Sequence, residues 1–162
     1  VLLEYCYNLG SINNTSSGAS GNVGGIVGIN RLPDNVISNI KSTVNYCYNV
    51  ADVISITSIY NIGGLIGNNH PNCYVKNSCQ LRTAQVKNNT IIASNRIGNY
   101  ENDSYTGRLI GRNNGENNIE EVWQAYEENI PTVYDLMNSF SEDESKYWSN
   151  SNVNAPKLLW EN

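Results

Sequence analysis

The chain is short of the residues that carry most chemistry. Its 162 residues include one His, one Met, one Phe and four Pro. The single His70 lies in the polar turn Asn68-Asn69-His70-Pro71-Asn72, and no Ser or acid stands out as a triad partner. Charge is sparse: ten Lys and Arg against fifteen Asp and Glu give a net charge of −5. No basic cluster exists, which argues against a nucleic-acid partner. No run of eighteen apolar residues occurs, so membrane insertion of this segment is not expected. Acids within the first two thirds are few and scattered (Glu4, Asp34, Asp52, Glu101, Asp103), so no carboxylate pair suggests glycoside hydrolysis. The later SEDESK reads as a solvated turn. The opening VLLEYCYN has neither Met nor a signal-peptide pattern and reads as the start of a segment of something longer.

What is present is glycine, asparagine and repetition. NIGGLIGNN at 61–69 looks at first like a loop that wraps a phosphate. Such a loop needs a helix after it or a Gly-Lys-Ser/Thr, and neither follows. The stretch also recurs, as NVGGIVGIN at 22–30 and YTGRLIGRN at 105–113. A second motif alternates with it: EYCYNLGSI at 4–12, NYCYNVADV at 45–53 and NSCQLRTAQV at 77–86. Three alternating copies at a spacing of about 30–45 residues predict a repeat architecture. Asn, 29 of 162, suits a chain that turns often.

Residues 1–115 are rich in short Val/Ile/Thr/Tyr runs between turns, the pattern of strands. From Asn118 the pattern changes. Ile119, Val122, Trp123 and Tyr126 fall at helical spacing, with Asn118 and Glu121 as a capping pair. Thr132 then caps a second helix with Val133, Leu136, Met137 and Phe140 inward. The tail reads as two short extended pieces around an Asn-rich turn. The expected fold is all-β: a parallel β-solenoid of about three coils over 1–115, with a helical and extended cap over 116–162 of the same domain. Solenoid ends need covering.

Alternation along a strand assigns faces. With the Cys motifs aligned Cys to Cys, the polar Lys76, Ser78, Gln80 and Arg82 are expected in water. That places Cys6, Cys47 and Cys79 in an inward ladder, with Ile12 and Val53. Tyr5, Tyr7, Tyr46 and Tyr48 then face out as a two-by-two aromatic patch. In the Gly motif, Arg108 stands where Gly25 and Gly64 stand, which assigns that position to solvent. Ile26, Leu65 and Leu109 form a second inward ladder, flanked by glycines that leave room and permit positive φ. Val27, Ile66 and Ile110 would face out unless a bulge turns them in. The helix at 119–128 is the expected cover, docking on that row or across the last coil.

VGGIVGIN…VNYCYNVADV…IGGLIGNN resembles the GLUG-motif repeats of large secreted and cell-surface bacterial proteins. Pro156, Leu158 and Trp160 resemble the Pro-x-Leu-x-Trp end of such arrays. The likeness covers most of 4–113 plus 150–160. It implies a right-handed parallel β-helix in a secreted or cell-surface bacterial setting. It also implies either a non-catalytic structural or adhesive module, or an accessory carbohydrate- or protein-binding domain of a surface enzyme such as a metallopeptidase. Parallel β-helices also host polysaccharide-active enzymes, but no acid/base pair supports that here.

No cofactor and no metal is expected. Zinc would need more than His70 and Cys73, even with Cys79 as a third ligand. The stacked cysteines suit a disulfide poorly and act as small apolar residues; Cys73 either stays a thiol or pairs with Cys79 across a turn. The tyrosine patch is the candidate ligand surface, for a glycan or a host surface protein. The alternative is packing against a flanking domain of the same chain.

Overall fold

The computed structural model describes residues 1–16, 21–34, 39–57, 59, 61–81, 83–101, 104–114, 119–125, 132–140, 148–149, 152 and 155–158; for 99–101, 104 and 119–125 it describes the backbone course. The described chain is mostly β, with parallel sheets and one short helix. A first pass lays down β1 (Leu2–Glu4), β2 (Tyr7–Asn8), β3 (Ile12–Asn14), β4 (Asn22–Gly24) and β5 (Val27–Asn30). A second pass repeats them as β6 (Ser42–Asn45), β7 (Tyr48–Asn49), β8 (Val53–Ser55), β9 (Asn61–Gly63) and β10 (Ile66–Asn69). Each pairs in parallel with its predecessor, in order.

The third pass comprises β11 (Cys73–Leu81), β12 (Val86–Asn88), β13 (Ile91–Ile92), β14 (Asn99–Glu101), β15 (Ser104–Gly107) and β16 (Ile110–Asn113). Here β11 pairs with both β6 and β7, β12 with β8, β15 with β9 and β16 with β10, all parallel. β13 and β14 fold back antiparallel on β12 and β15. Apart from the nine-residue β11, the strands of these passes are runs of two to four residues, too short to persist alone. They are strands because a copy one pass away supplies the ladder partner, as in Val27↔Ile66↔Ile110.

Between β1 and β2 the chain turns at Tyr5, in left-handed backbone at φ 53°, and Tyr46 repeats this at φ 50°. In the third pass the equivalent is Asn77, φ 43°, inside β11. The register pairs Lys76 with Asn45 and Cys79 with Tyr48. Ser78, not Cys79, therefore stands opposite Cys47, and the Cys-to-Cys alignment is one residue out. The inward ladder is Cys6, Cys47, Ser78. Ser78 and Gln80, expected in water, are buried. The physical reason is the left-handed residue, which reverses the alternation for everything after it.

A second corner lies between β9 and β10. The Leu65 carbonyl accepts from both Ile26 N–H and Val27 N–H at 3.0 Å, and Leu109 does the same for Leu65 and Ile66. Turning there lets two consecutive side chains point inward. Leu65 and Ile66 are fully buried, as are Leu109 and Ile110. Val27, Ile66 and Ile110 thus share one core cluster with Ile26, Leu65, Leu109 and Cys47. The bend brings the row in, and no described helix covers it. A second cluster gathers Val53, Ile59, Ile62, Val86 and Ala93, with Ile12 and Val23 against it.

No described glycine has positive φ. Their role is close approach. A Cβ on Gly63 would stand 2.1 Å from Ile66 O and 2.5 Å from Gly111 N. The second glycine of each pair does not face solvent. A Cβ on Gly64 would strike the Gln80 side chain, and one on Gly25 would come within 2.5 Å of Asn49 Nδ2.

Residues 119–125 are not helical. They form β17 (Ile119–Ala125), parallel to β11, with Val75↔Ile119 and Cys79↔Trp123. Ile, Val and Trp favour strands, and the free edge of β11 supplies the hydrogen bonds, so tertiary pairing overrides the helical spacing. Asn118, Tyr126 and Trp160 lie outside the described residues. The second helix is present: α1 (Val133–Ser139), capped by Thr132 Oγ1, which accepts from Asp135 N–H at 3.0 Å. Its buried residues are Val133, Leu136 and Met137. Trp148 and Leu158 form an isolated antiparallel bridge; most of the tail expected as two extended pieces lies outside the described residues.

Gly63→Ala should destabilise the fold by at least about 1–3 kcal/mol, since backbone atoms on both sides would have to move. Gly21→Ala, with open space around the new methyl, should change stability by less than about 1 kcal/mol. Urea unfolding of the two variants side by side measures the difference; equal midpoints would show that the glycine row does not set the approach.

Candidate functional site

The four tyrosines stack as their spacing demands. Tyr5 and Tyr46 lie 5.2 Å apart between ring centroids and 4° from parallel; Tyr7 and Tyr48 lie 5.3 Å apart at 8°. In-register copies one pass apart leave offset stacking as the natural geometry. Left-handed backbone at a non-Gly residue costs roughly 1–2 kcal/mol, and at Tyr5 and Tyr46 this stacking contributes on the other side.

The patch is not an open surface. Tyr48 is fully buried, and it forms one cluster with Cys79, Val133, Leu136, Met137, Phe140, Trp148 and Leu158, with Tyr5, Tyr7 and Tyr46 packed against them. Trp148 meets Tyr48 edge-on at 5.0 Å and Tyr7 at 6.1 Å. The Tyr48 hydroxyl donates to Pro156 O, and the Tyr46 hydroxyl donates to Phe140 O at 3.3 Å. Of the two readings of this patch, ligand surface or packing face, the structure shows packing, and the cover comes from the chain's own C-terminal part. Large apolar aromatic faces are covered because burial removes them from water at about 25 cal/mol per Å².

All four cysteines are thiols. Cys73 and Cys79 sit six positions apart on the one strand β11. At ~3.3 Å per residue, the four positions up to the corner at Asn77 and the two beyond it still hold them well beyond a disulfide's reach. The same distance removes Cys79 from any site with His70. Among the described residues no three of His, Cys, Asp and Glu come together. Burial pushes the Cys47 thiol up to about 12, and burial pushes Cys79 up as well. Cys79 faces Met137, sulfur to sulfur at 3.6 Å.

The residues that sequence reasoning missed are amides. Asn30, Asn69 and Asn113 form a continuous ladder, each Nδ2 donating to the next Oδ1 at 2.9 Å. Asn8 donates to Asn49 at 2.9 Å and Asn61 to Asn22 at 2.6 Å. Asn77 donates to Asn45, which donates to Glu4. An amide carries both donor and acceptor, so stacked copies satisfy each other indefinitely. The signal was in the spacing: Asn8 to Asn49 is the same 41 positions as Cys6 to Cys47.

His70 lies beside a half-open cavity of about 340 Å³, with Arg31, Pro33, Asp34, Pro71 and Asn72 among its lining. Arg31 clamps Asp34 at 2.5 Å and holds its carboxyl below the usual range. Burial, then the Arg31 and Arg112 charges, push His70 down, favouring neutral imidazole; its Nε2 lies 3.2 Å from Asn68 Nδ2. This is a polar turn held by its own contacts. Comparison with known protein families, curated proteins and solved structures gives no match.

Trp148→Ala should cost about 3–5 kcal/mol, the range for emptying a large aromatic site; an unchanged urea midpoint would show that the cover is not part of the fold. Stability should also fall with alkali. An unfolded thiol ionises near its usual pKa, while Cys47 holds its proton to about 12, so the folded state binds more protons between about pH 9 and 12. The decline reaches at most about 1.4 kcal/mol per pH unit per thiol. Cys47→Ala should flatten the slope of stability against pH in that window; an identical slope would mean that Cys47 ionises freely in the fold.

Proposed function

We propose that the chain is a right-handed parallel β-solenoid of about three coils, serving as a non-catalytic structural or adhesive module of a large secreted or cell-surface bacterial protein. The observation that supports this best is how the repeat residues are used. Gly63, Cys47, Asn49, Leu65 and Tyr48, one from each conspicuous motif position, are all buried in contacts between or against the passes. Motif positions devoted to stacking are what an extendable scaffold needs, and they leave little of the repeat to chemistry. The secreted or surface setting rests on the resemblance of the paired Gly and Cys motifs to GLUG-motif arrays.

The experiment has two arms. The purified chain is incubated with a panel of acidic and neutral polysaccharides, and reducing ends and unsaturated products are assayed. The chain displayed on a non-adherent bacterium is also tested for attachment to glycan-coated and protein-coated surfaces. The expected result is no product and a gain of attachment, or an inert spacer. Catalytic release of sugar ends would overturn the reading in favour of a polysaccharide-active enzyme.

A further inference from the structure

The two ends of the stacked sheets are finished differently. On the C-terminal side every sheet has a further neighbour: β17 on β11, β13 on β12, β14 on β15, and a bridge from Ile97 to Ile110 of β16. Two of these covers run antiparallel, so they end the parallel progression. On the other side β1, β2, β3, β4 and β5 are each last in their sheet, with no described strand beyond them. One whole pass of strand edges therefore lies along a single face.

Side chains of that pass are less buried than their register partners. Val44, Cys47, Val53, Ile62 and Ile66 are exposed by 3% or less, while Leu3, Cys6, Ile12, Val23 and Val27 one pass below are all half-buried. Leu2 and Ile29 are exposed at 61% and 43%. A cavity of about 330 Å³ opens on this face, with Leu3, Val27, Ile29, Asn30 and Val44 in its wall.

We propose that this face is a docking surface for a polypeptide rung of the same repeat pattern, running parallel to the first pass and adding to it strand by strand. The contact between passes within the fold defines what fits. A Cβ on Gly67 would come within 2.6 Å of Gly28 O, and one on Gly24 within 2.8 Å of Gly67 N, so the contact between passes leaves no room for a side chain at either position. An occupant needs glycines against Gly24 and Gly28, aliphatics over Ile26 and Val27, and aromatic rings over Tyr5 and Tyr7. It needs amides over Asn8 and Asn30 to prolong their ladders. A second copy of this chain fits worse. Its antiparallel β13 and β14 break the parallel pattern at its other end, and its own first pass would meet this one antiparallel, with the corners at Tyr5 out of phase. The inference stands on the sheet edges and is independent of adhesion.

The test uses the full chain with a synthetic peptide of residues 41–70 as the rung, read by amide hydrogen exchange. Exchange at 2–8, 12–14 and 22–30 should slow at least tenfold with this peptide and stay unchanged with a peptide carrying Gly63→Val and Gly67→Val. A chain in which residues 1–41 are duplicated ahead of Val1 guards against a poorly soluble peptide; its original first pass should gain the same protection and its Tm should rise. No protection in either format overturns the proposal, and so does equal protection by both peptides. Concentration-dependent dimerisation of the chain alone through these amides would assign the face to a second copy instead.

Discussion

Everything in this fold depends on in-register parallel pairing of a chain with its own repeat. Parallel neighbours stand ~4.8 Å apart, so each side chain must tolerate its like at that distance. Aliphatics do, as Ile66 shows between Val27 and Ile110. Tyrosines do by stacking, and asparagines by donating along the row. Like charges do not. This is a physical reason for the low charged fraction of 15%. Where a charge does enter a row, it is interleaved with amides, as in Glu4–Asn45–Asn77.

The same constraint explains what was readable beforehand. The period, the inward Cys6 and Cys47, the Leu65 ladder, the tyrosine stacks and the Thr132-capped helix follow from spacing and local chemistry. What failed was alternation carried through corners. A strand's two faces are legible only while the backbone stays extended. Tyr46 at φ 50° and the turn at Gly64–Leu65 each reset the alternation. Tyr is an unusual occupant of left-handed backbone, so nothing in the residue type announced the corner. Hence alternation alone puts Ser78 in water and Cys79 in the wrong row, and leaves Val27, Ile66 and Ile110 outside unless a bend turns them in, as the one at Gly64–Leu65 does. The strand at 119–125 was missed because its partner edge exists only in the folded molecule.

The tyrosine face shows how architecture and site compete for one surface. Stacking aromatic rings on the outside of two passes creates an apolar strip that water does not accept. Residues 132–158 supply Val133, Leu136, Met137, Phe140, Trp148 and Leu158 to it. The cover lies along the flank of the passes and not across their end. That is why one segment can shield Tyr48 while β17 separately occupies the edge of β11.

The asparagine ladders also give the molecule a chemical clock. An asparagine side chain can lose its amide nitrogen when the next backbone nitrogen attacks its carbonyl, and a following glycine makes that attack easiest. Of 29 asparagines only Asn114 precedes glycine. The ladder residues are followed by bulkier neighbours and are held in strands, which opposes the attack. Were Asn69 to become aspartate, it would lose the donor that reaches Asn113 and place a charge in a buried row. The residue type that joins the passes is thus also one whose hydrolysis would part them, and the ladders' strand setting opposes it.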